Sequence, residues 1–133
     1  MLVYLDSCVV IYAVEQAATL GAPVLKALND LPVSAKACVS DMVRMECMIQ
    51  PMRVNDQDRI QRLREFLALF AHRPISSVDF ELATDLRAKS GLRVPDALHL
   101  ATAINAGCTQ FWTNDDRLSK STDKIQFCKF NRT

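Results

Sequence analysis

"LVYLDSCVVIYAVE", residues 2–15, changes character halfway along, and that change sets the class of fold. Its first part, "LVYL" at 2–5, is a run of strand formers without a polar break, as a strand buried on both faces of a parallel sheet requires. From Ser7 the pattern turns helical through "CVVIYAVE", with Ser7 able to cap the first turn. Asp6 stands between the two parts, a carboxylate placed where an apolar run stops.

The alternation continues outward from this unit. "PVLKALNDL" (23–31) sets Val24, Leu25, Leu28 and Leu31 at helical spacing. "KACVS" (36–40) reads as a short strand, and "DMVRMECMIQ" (41–50) as a helix ended by Pro51. After a loop at 52–58, "RIQRLREFLALFA" (59–71) carries Ile60, Leu63, Phe66, Leu67 and Phe70 on one helical stripe. "PISSV" (74–78) is expected to be the third strand. "DFELATDLRAKS" (79–90) is a helix capped by Asp79 and ended by Gly91, and "PDALHLATAINA" is a helix opened by Pro95 and closed by Gly107. "TQFWT" (109–113) and "IQFCKF" (125–130) are the last strands, separated by the polar turn "NDDRLSKSTD". Strands alternating with helices predict an α/β fold, a largely parallel sheet flanked by helices in one domain spanning 1–133. Ligands of such sheets bind beyond the carboxyl ends of the strands, where the strand order switches.

Composition narrows the function less than pattern does. Lys and Arg total 16 against 15 Asp and Glu, so no global excess announces a nucleic-acid or membrane partner. If Asp6, Glu46, Asp96, Asp115 and Asp116 share one cleft, however, the rest of the chain is net positive and could attract a polyanion. The five cysteines include no CxxC pair and mostly sit in apolar surroundings such as "ACVS" and "QFCKF". They read as free thiols of a reducing, cytoplasmic compartment. No signal peptide is expected at the N-terminus, and no apolar run approaches the roughly 18 residues of a membrane span. There is no GxGxxG or P-loop to bind a nucleotide cofactor.

Acids at four places interrupt ordered segments. Asp6 follows the first strand; Glu46 lies in the otherwise apolar "MVRMECMI", which also holds Arg44; Asp96 sits in the first turn of a helix apolar almost all round; Asp115 and Asp116 follow the strand "TQFW". Each has a local explanation: a helix cap, a solvated face or salt bridge, a charge on the helix dipole, a turn former. Together they do not, because the topology brings them to one edge of one sheet. Two carboxylates about 4 Å apart repel by roughly 4 kcal/mol at an effective dielectric of about 20. A divalent cation removes the conflict. Oxygen ligands without paired His or Cys suit Mg²⁺ or Mn²⁺ and argue against zinc. Such an ion keeps waters and coordinates phosphate oxygens, so phosphodiester hydrolysis is the natural chemistry.

"YLDS", Glu46 after the second strand, "VPDALHLATA" (94–103) and "FWTNDDRL" (111–118), in this order, resemble a PIN-domain ribonuclease, and the length and layout resemble the VapC-type toxins of toxin–antitoxin pairs. The resemblance implies a Mg²⁺- or Mn²⁺-dependent endoribonuclease. By position, it makes Asp6 and Asp96 the principal metal ligands and has Asp115 complete the site directly or through water. Glu46 would orient or activate the attacking water, and Ser7, Thr113 and Asn114 would support the site, with Asp116 the rival of Asp115 for the inward position. The implied partners are an RNA substrate, a second copy of the chain and a cognate antitoxin, whose docking groove helices such as 59–71 could supply.

His99, one turn after Asp96, could touch the site, although a satisfied, partly buried histidine is the plainer reading. Arg87, Lys89 and Arg93 could meet RNA phosphates or form a solvated basic face. The competing readings are a catalytically silent RNA- or protein-binding domain of the same fold, and phosphoryl transfer on an aspartate. Haloacid-dehalogenase-like enzymes need a second Asp two residues after the first, where this chain has Cys8, and a receiver domain needs an acidic pair and a late Lys.

Overall fold

The computed structural model describes residues 1–15 and 17–130; residues 131–133 of the expected domain lie outside the described residues. Five strands form one parallel sheet: β1 (Leu2–Leu5), β2 (Lys36–Ser40), β3 (Ala71–Arg73), β4 (Gln110–Thr113) and β5 (Gln126–Lys129). Their order is β3-β2-β1-β4-β5, so the chain builds outward from β1 on one side and then crosses to the other. The switch therefore falls between β1 and β4, which pair in the register Val3 to Gln110, Tyr4 to Phe111 and Leu5 to Trp112.

The helices are α1 (Ser7–Glu15), α2 (Ala22–Asn29), α3 (Asp41–Arg53), α4 (Gln57–Leu67), α5 (Ser77–Ser90), α6 (Val94–Asn105) and the single turn α7 (Asp116–Ser119), with a π-helical turn at Ala17–Gly21. α1 packs on α2, α3 and α4, while α5 and α6 pack on each other. Val3, Tyr4 and Leu5 are wholly buried, as an unbroken apolar strand at the middle of the sheet must be. From Ala97 to Ala103 every residue of α6 is buried, which matches its lack of a polar face. Asn105, at the end of α6, donates to Asp79 Oδ1 at 2.8 Å and ties the helix to the start of α5.

Several local expectations shift. The third strand is "AHR", pairing Cys38 with Ala71 and Ser40 with Arg73, and not 74–78. Pro74 lacks the N–H a ladder needs, and Ser77 already begins α5. The preceding helix correspondingly spans 57–67 instead of 59–71. Asp79 is not the cap of α5; Ser76 is, and Asp79 reaches back to accept the Ser76 N–H at 2.9 Å in a capping box. Pro51 does not end α3, which continues to Arg53 before Asn55 turns the chain at φ 55°. Asp6, rather than Ser7, caps α1: its carbonyl accepts from Val9 and Val10, and its Oδ1 from the Ser7 N–H. The polar turn after β4 contains α7, capped by Asp115. No single helix among the described residues is long and apolar enough to cross a membrane.

Candidate active site

Asp6 stands at the carboxyl end of β1, on the switch point. Its N–H donates to the Trp112 carbonyl at 3.0 Å, so β4 fixes its backbone. Its carboxylate accepts from the Ser7 N–H and from the Thr113 hydroxyl, both at 2.8 Å. Burial pushes the Asp6 carboxyl up from its ordinary range, and the charge of His99 with the bonds from Thr113 and Ser7 only partly offsets it. Thr113 has a second task. It accepts the Asp115 N–H at 3.2 Å, so one hydroxyl links Asp6 to Asp115.

Glu46 comes from α3, whose entry is set by Ser40 at the end of β2, capping the Val43 N–H at 3.3 Å. The side chain turns inward to His99: Glu46 Oε1 lies 2.6 Å from His99 Nε2. The other ring nitrogen, Nδ1, is 2.7 Å from the Tyr4 hydroxyl, which is itself 2.8 Å from Ser40 Oγ. Only 2% of the His99 side chain is exposed. At that distance from an ionised carboxylate Nε2 must carry a hydrogen, so a neutral His99 takes the proton of Tyr4 at Nδ1. A directed chain results, Val43 N–H to Ser40, Ser40 to Tyr4, Tyr4 to His99 and His99 to Glu46, that leaves none of these buried groups unpaired. Burial disfavours the charge of Glu46, but the bond from His99 and its charge, helped by Ser7 and Arg93, outweigh it and hold the carboxyl low. Burial likewise opposes a charged His99, and the bond to Glu46 with the charges of Asp6, Glu46 and Asp96 raises its pKa.

Asp6, Glu46 and His99 thus bring one polar side-chain atom each within 4.8 Å of one another. Two further acids are linked to this group: the Thr113 hydroxyl joins Asp115 to Asp6, and the charge of Asp96 acts on His99. Asp96, half-buried in the first turn of α6, accepts from Arg93 Nε at 3.1 Å. Asp115 caps α7 by accepting the Arg117 N–H at 2.9 Å and also meets Arg117 Nη2 at 3.2 Å. Burial raises its carboxyl, but the Arg117 contacts prevail and lower it. Asp116 points elsewhere, to Lys129 Nζ at 2.8 Å on β5. Asn114 donates to the Tyr12 hydroxyl at 2.5 Å and braces the loop against α1. Asp96 also lines a cavity of about 450 Å³, together with four cations, Lys89, Arg93, Arg117 and Lys120.

The Asp6 and Glu46 carboxylates offer oxygen ligands that fit a divalent cation such as Mg²⁺ or Mn²⁺, while His99, with its Nε2–H given to Glu46 and its Nδ1 taken by Tyr4, orients Glu46 and keeps no lone pair for the ion. His99 is the site member that position-by-position reading undervalued. Its signal was a ring with two polar atoms on a helix otherwise apolar all round, where each needs a partner. Of the apolar stripe at 59–71, Ile60, Leu63 and Leu67 are core residues, and Phe66 and Phe70 are partly buried against that core. Large apolar side chains are exposed instead on α3, at Met45, Ile49 and Met52.

A family model for the PIN domain matches residues 3–124. No curated protein matches the chain by sequence. Among solved structures of similar fold are VapBC2 from Rickettsia felis bound to a DNA fragment from its promoter, with a TM-score of 0.83 at 18% identity over 98% of this chain and 100% of that one. A toxin–antitoxin complex from Klebsiella pneumoniae has a TM-score of 0.75 at 23% identity, covering 92% and 94%. VapC20 from Mycobacterium tuberculosis, described as a sarcin–ricin loop cleaving toxin, has a TM-score of 0.68 at 11% identity, covering 93% and 98%.

Proposed function

The chain belongs to the PIN domain family, and from that premise we propose that it is a Mg²⁺- or Mn²⁺-dependent endoribonuclease, the toxin of a type II toxin–antitoxin pair. The observation that carries this reading is the gathering of Asp6, Glu46 and His99 within 4.8 Å at the switch point of a parallel sheet, with the Thr113 hydroxyl joining Asp6 to Asp115 and the charge of Asp96 acting on His99. The likeness to toxin–antitoxin complexes and to an RNA-cleaving toxin supports it.

Asp6 and Asp96 would hold the ion, with Asp115 completing the site directly or through water. When bound, the ion lowers the pKa of a coordinated water and stabilises charge on the phosphate. The chain's own residues supply the rest. Glu46, kept ionised by His99, receives a proton from the attacking water. The water oxygen joins phosphorus, a phosphorus–oxygen bond of the backbone breaks, and the leaving ribose oxygen takes up a proton. Ser7 and Thr113 hold the carboxylates of Glu46 and Asp6, and Asn114 holds the loop that presents Asp115.

Met45, Ile49 and Met52 are exposed along the helix that carries Glu46, a surface on which an apolar antitoxin segment would lie next to the acids. An antitoxin Arg placed among the carboxylates would compete with the metal. Exposed Val78, Phe80 and Val94 offer apolar area to a second copy of the chain. Free cysteines at all five positions suit a cytoplasmic setting. The test is incubation of antitoxin-free protein with total RNA and Mg²⁺ or Mn²⁺, with end mapping. Discrete cuts that vanish with EDTA and in folded Asp6→Asn support the reading, and cuts that persist in either control refute it.

A further inference from the structure

We propose that the cavity lined by Asp96, Arg93 and Arg117 is a subsite for the RNA phosphate backbone, and that Arg93 and Arg117 exchange Asp96 and Asp115 for phosphate when a divalent cation takes up those carboxylates. The proposal rests on the ribonuclease reading above. Two acids assigned to the metal already have guanidinium partners, Asp96 with Arg93 at 3.1 Å and Asp115 with Arg117 at 3.2 Å. The pairs are interlaced. The charge of Arg93 also acts on Glu46 and Asp115, and that of Arg117 on Asp96.

A guanidinium and a divalent cation seek the same carboxylate lone pairs, so each occupies them at the other's expense. The arginines are equipped to leave. Their side chains are 68% and 69% exposed, and ion pairs this open to water are weak. Both already line the cavity, together with Lys89 and Lys120, so a short swing keeps them on its wall. A released guanidinium fork matches two oxygens of a phosphodiester, which makes the cavity cationic at the moment the site is loaded. By linkage, metal and RNA must then strengthen each other's binding.

Three proteins separate this from general electrostatics: wild type, Arg93→Gln/Arg117→Gln, and Lys89→Gln/Lys120→Gln, which removes equal charge without touching the paired acids. Mn²⁺ binding is measured by calorimetry on RNA-free protein. Binding of a fluorescein-labelled, mixed-sequence single-stranded RNA is measured by anisotropy over a salt series in Ca²⁺, with RNA integrity checked on gels. The arginine variant is expected to bind Mn²⁺ roughly two- to fivefold more tightly and RNA more weakly, its salt slope smaller by about 1.4. The lysine variant is expected to weaken RNA alone. Equal tightening of Mn²⁺ in both variants, or none in the arginine variant, overturns the exchange. An unchanged salt slope in both, with wild type still cleaving RNA, overturns the subsite and leaves the ribonuclease reading standing. A wild type that binds no RNA overturns both, even if the arginine variant binds Mn²⁺ more tightly.

Discussion

The Tyr4 hydroxyl on β1 and His99 Nδ1 on α6 are 2.7 Å apart, and both groups are buried. Through this contact the central strand settles which nitrogen of His99 faces the acids. Tyr4→Phe keeps the ring's packing on Phe111 but leaves Ser40 and Nδ1 without their shared partner. It is expected to cost about 1–3 kcal/mol in urea unfolding. Nitrogen-15 shifts of His99 are expected to lose the single-tautomer signature, while Phe111 contacts survive in the NMR spectrum.

The Glu46–His99 pair predicts a stability window. The Glu46 carboxyl is lowered from 4.5, so its contribution is present above that value and fades as pH falls through the depressed one. The His99 pKa is raised from 6.5, so its contribution is complete below that value and fades as pH rises through the elevated one. The stability gap between wild type and His99→Gln should therefore be widest between pH 4.5 and 6.5. There it should reach about 2 kcal/mol. Urea titrations across pH measure it, and a gap flat from pH 3 to 9 would remove the pair as its source.

Asp6 carries the opposite sign. Its pKa is raised by burial, so the folded chain binds that proton more tightly than the unfolded one, and the benefit is lost as pH rises through the raised value. Above it, an ionised Asp6 burdens the fold. Asp6→Asn is expected to be about 1 kcal/mol more stable than wild type at neutral pH and inactive on RNA, a trade of stability for function. Thermal melts at pH 4 and pH 8 test it: the advantage should shrink at the lower pH.

Gly91 ends α5 at φ 72°, and a Cβ there would meet nothing within 4 Å. The cost of Gly91→Ala is then backbone strain alone, about 1 kcal/mol or about 3 °C in melting temperature. A much larger loss would show that the turn into Arg93 and Asp96 depends on more than the left-handed conformation.

What the residues determine by themselves is mostly local. An unbroken run such as "LVYL" has no polar side to show water, so it reads as a central strand, and the helix at 94–105 reads as buried for the same reason. The acids at element ends follow, since the parallel α/β pattern sends those ends to one edge. Where local preferences compete, the sequence underdetermines the outcome: "AHR" became the edge strand because it could pair with β2 while Pro74 could not, and Asp79 yielded its cap to Ser76. The partners of the acids were decided only by tertiary structure. His99 is 53 residues from Glu46 and 95 from Tyr4, and Asp116, adjacent to Asp115, turns to Lys129 because α7 rotates successive side chains apart. Periodicity shows which face a residue occupies; only packing brings distant faces close enough to share a proton or a charge.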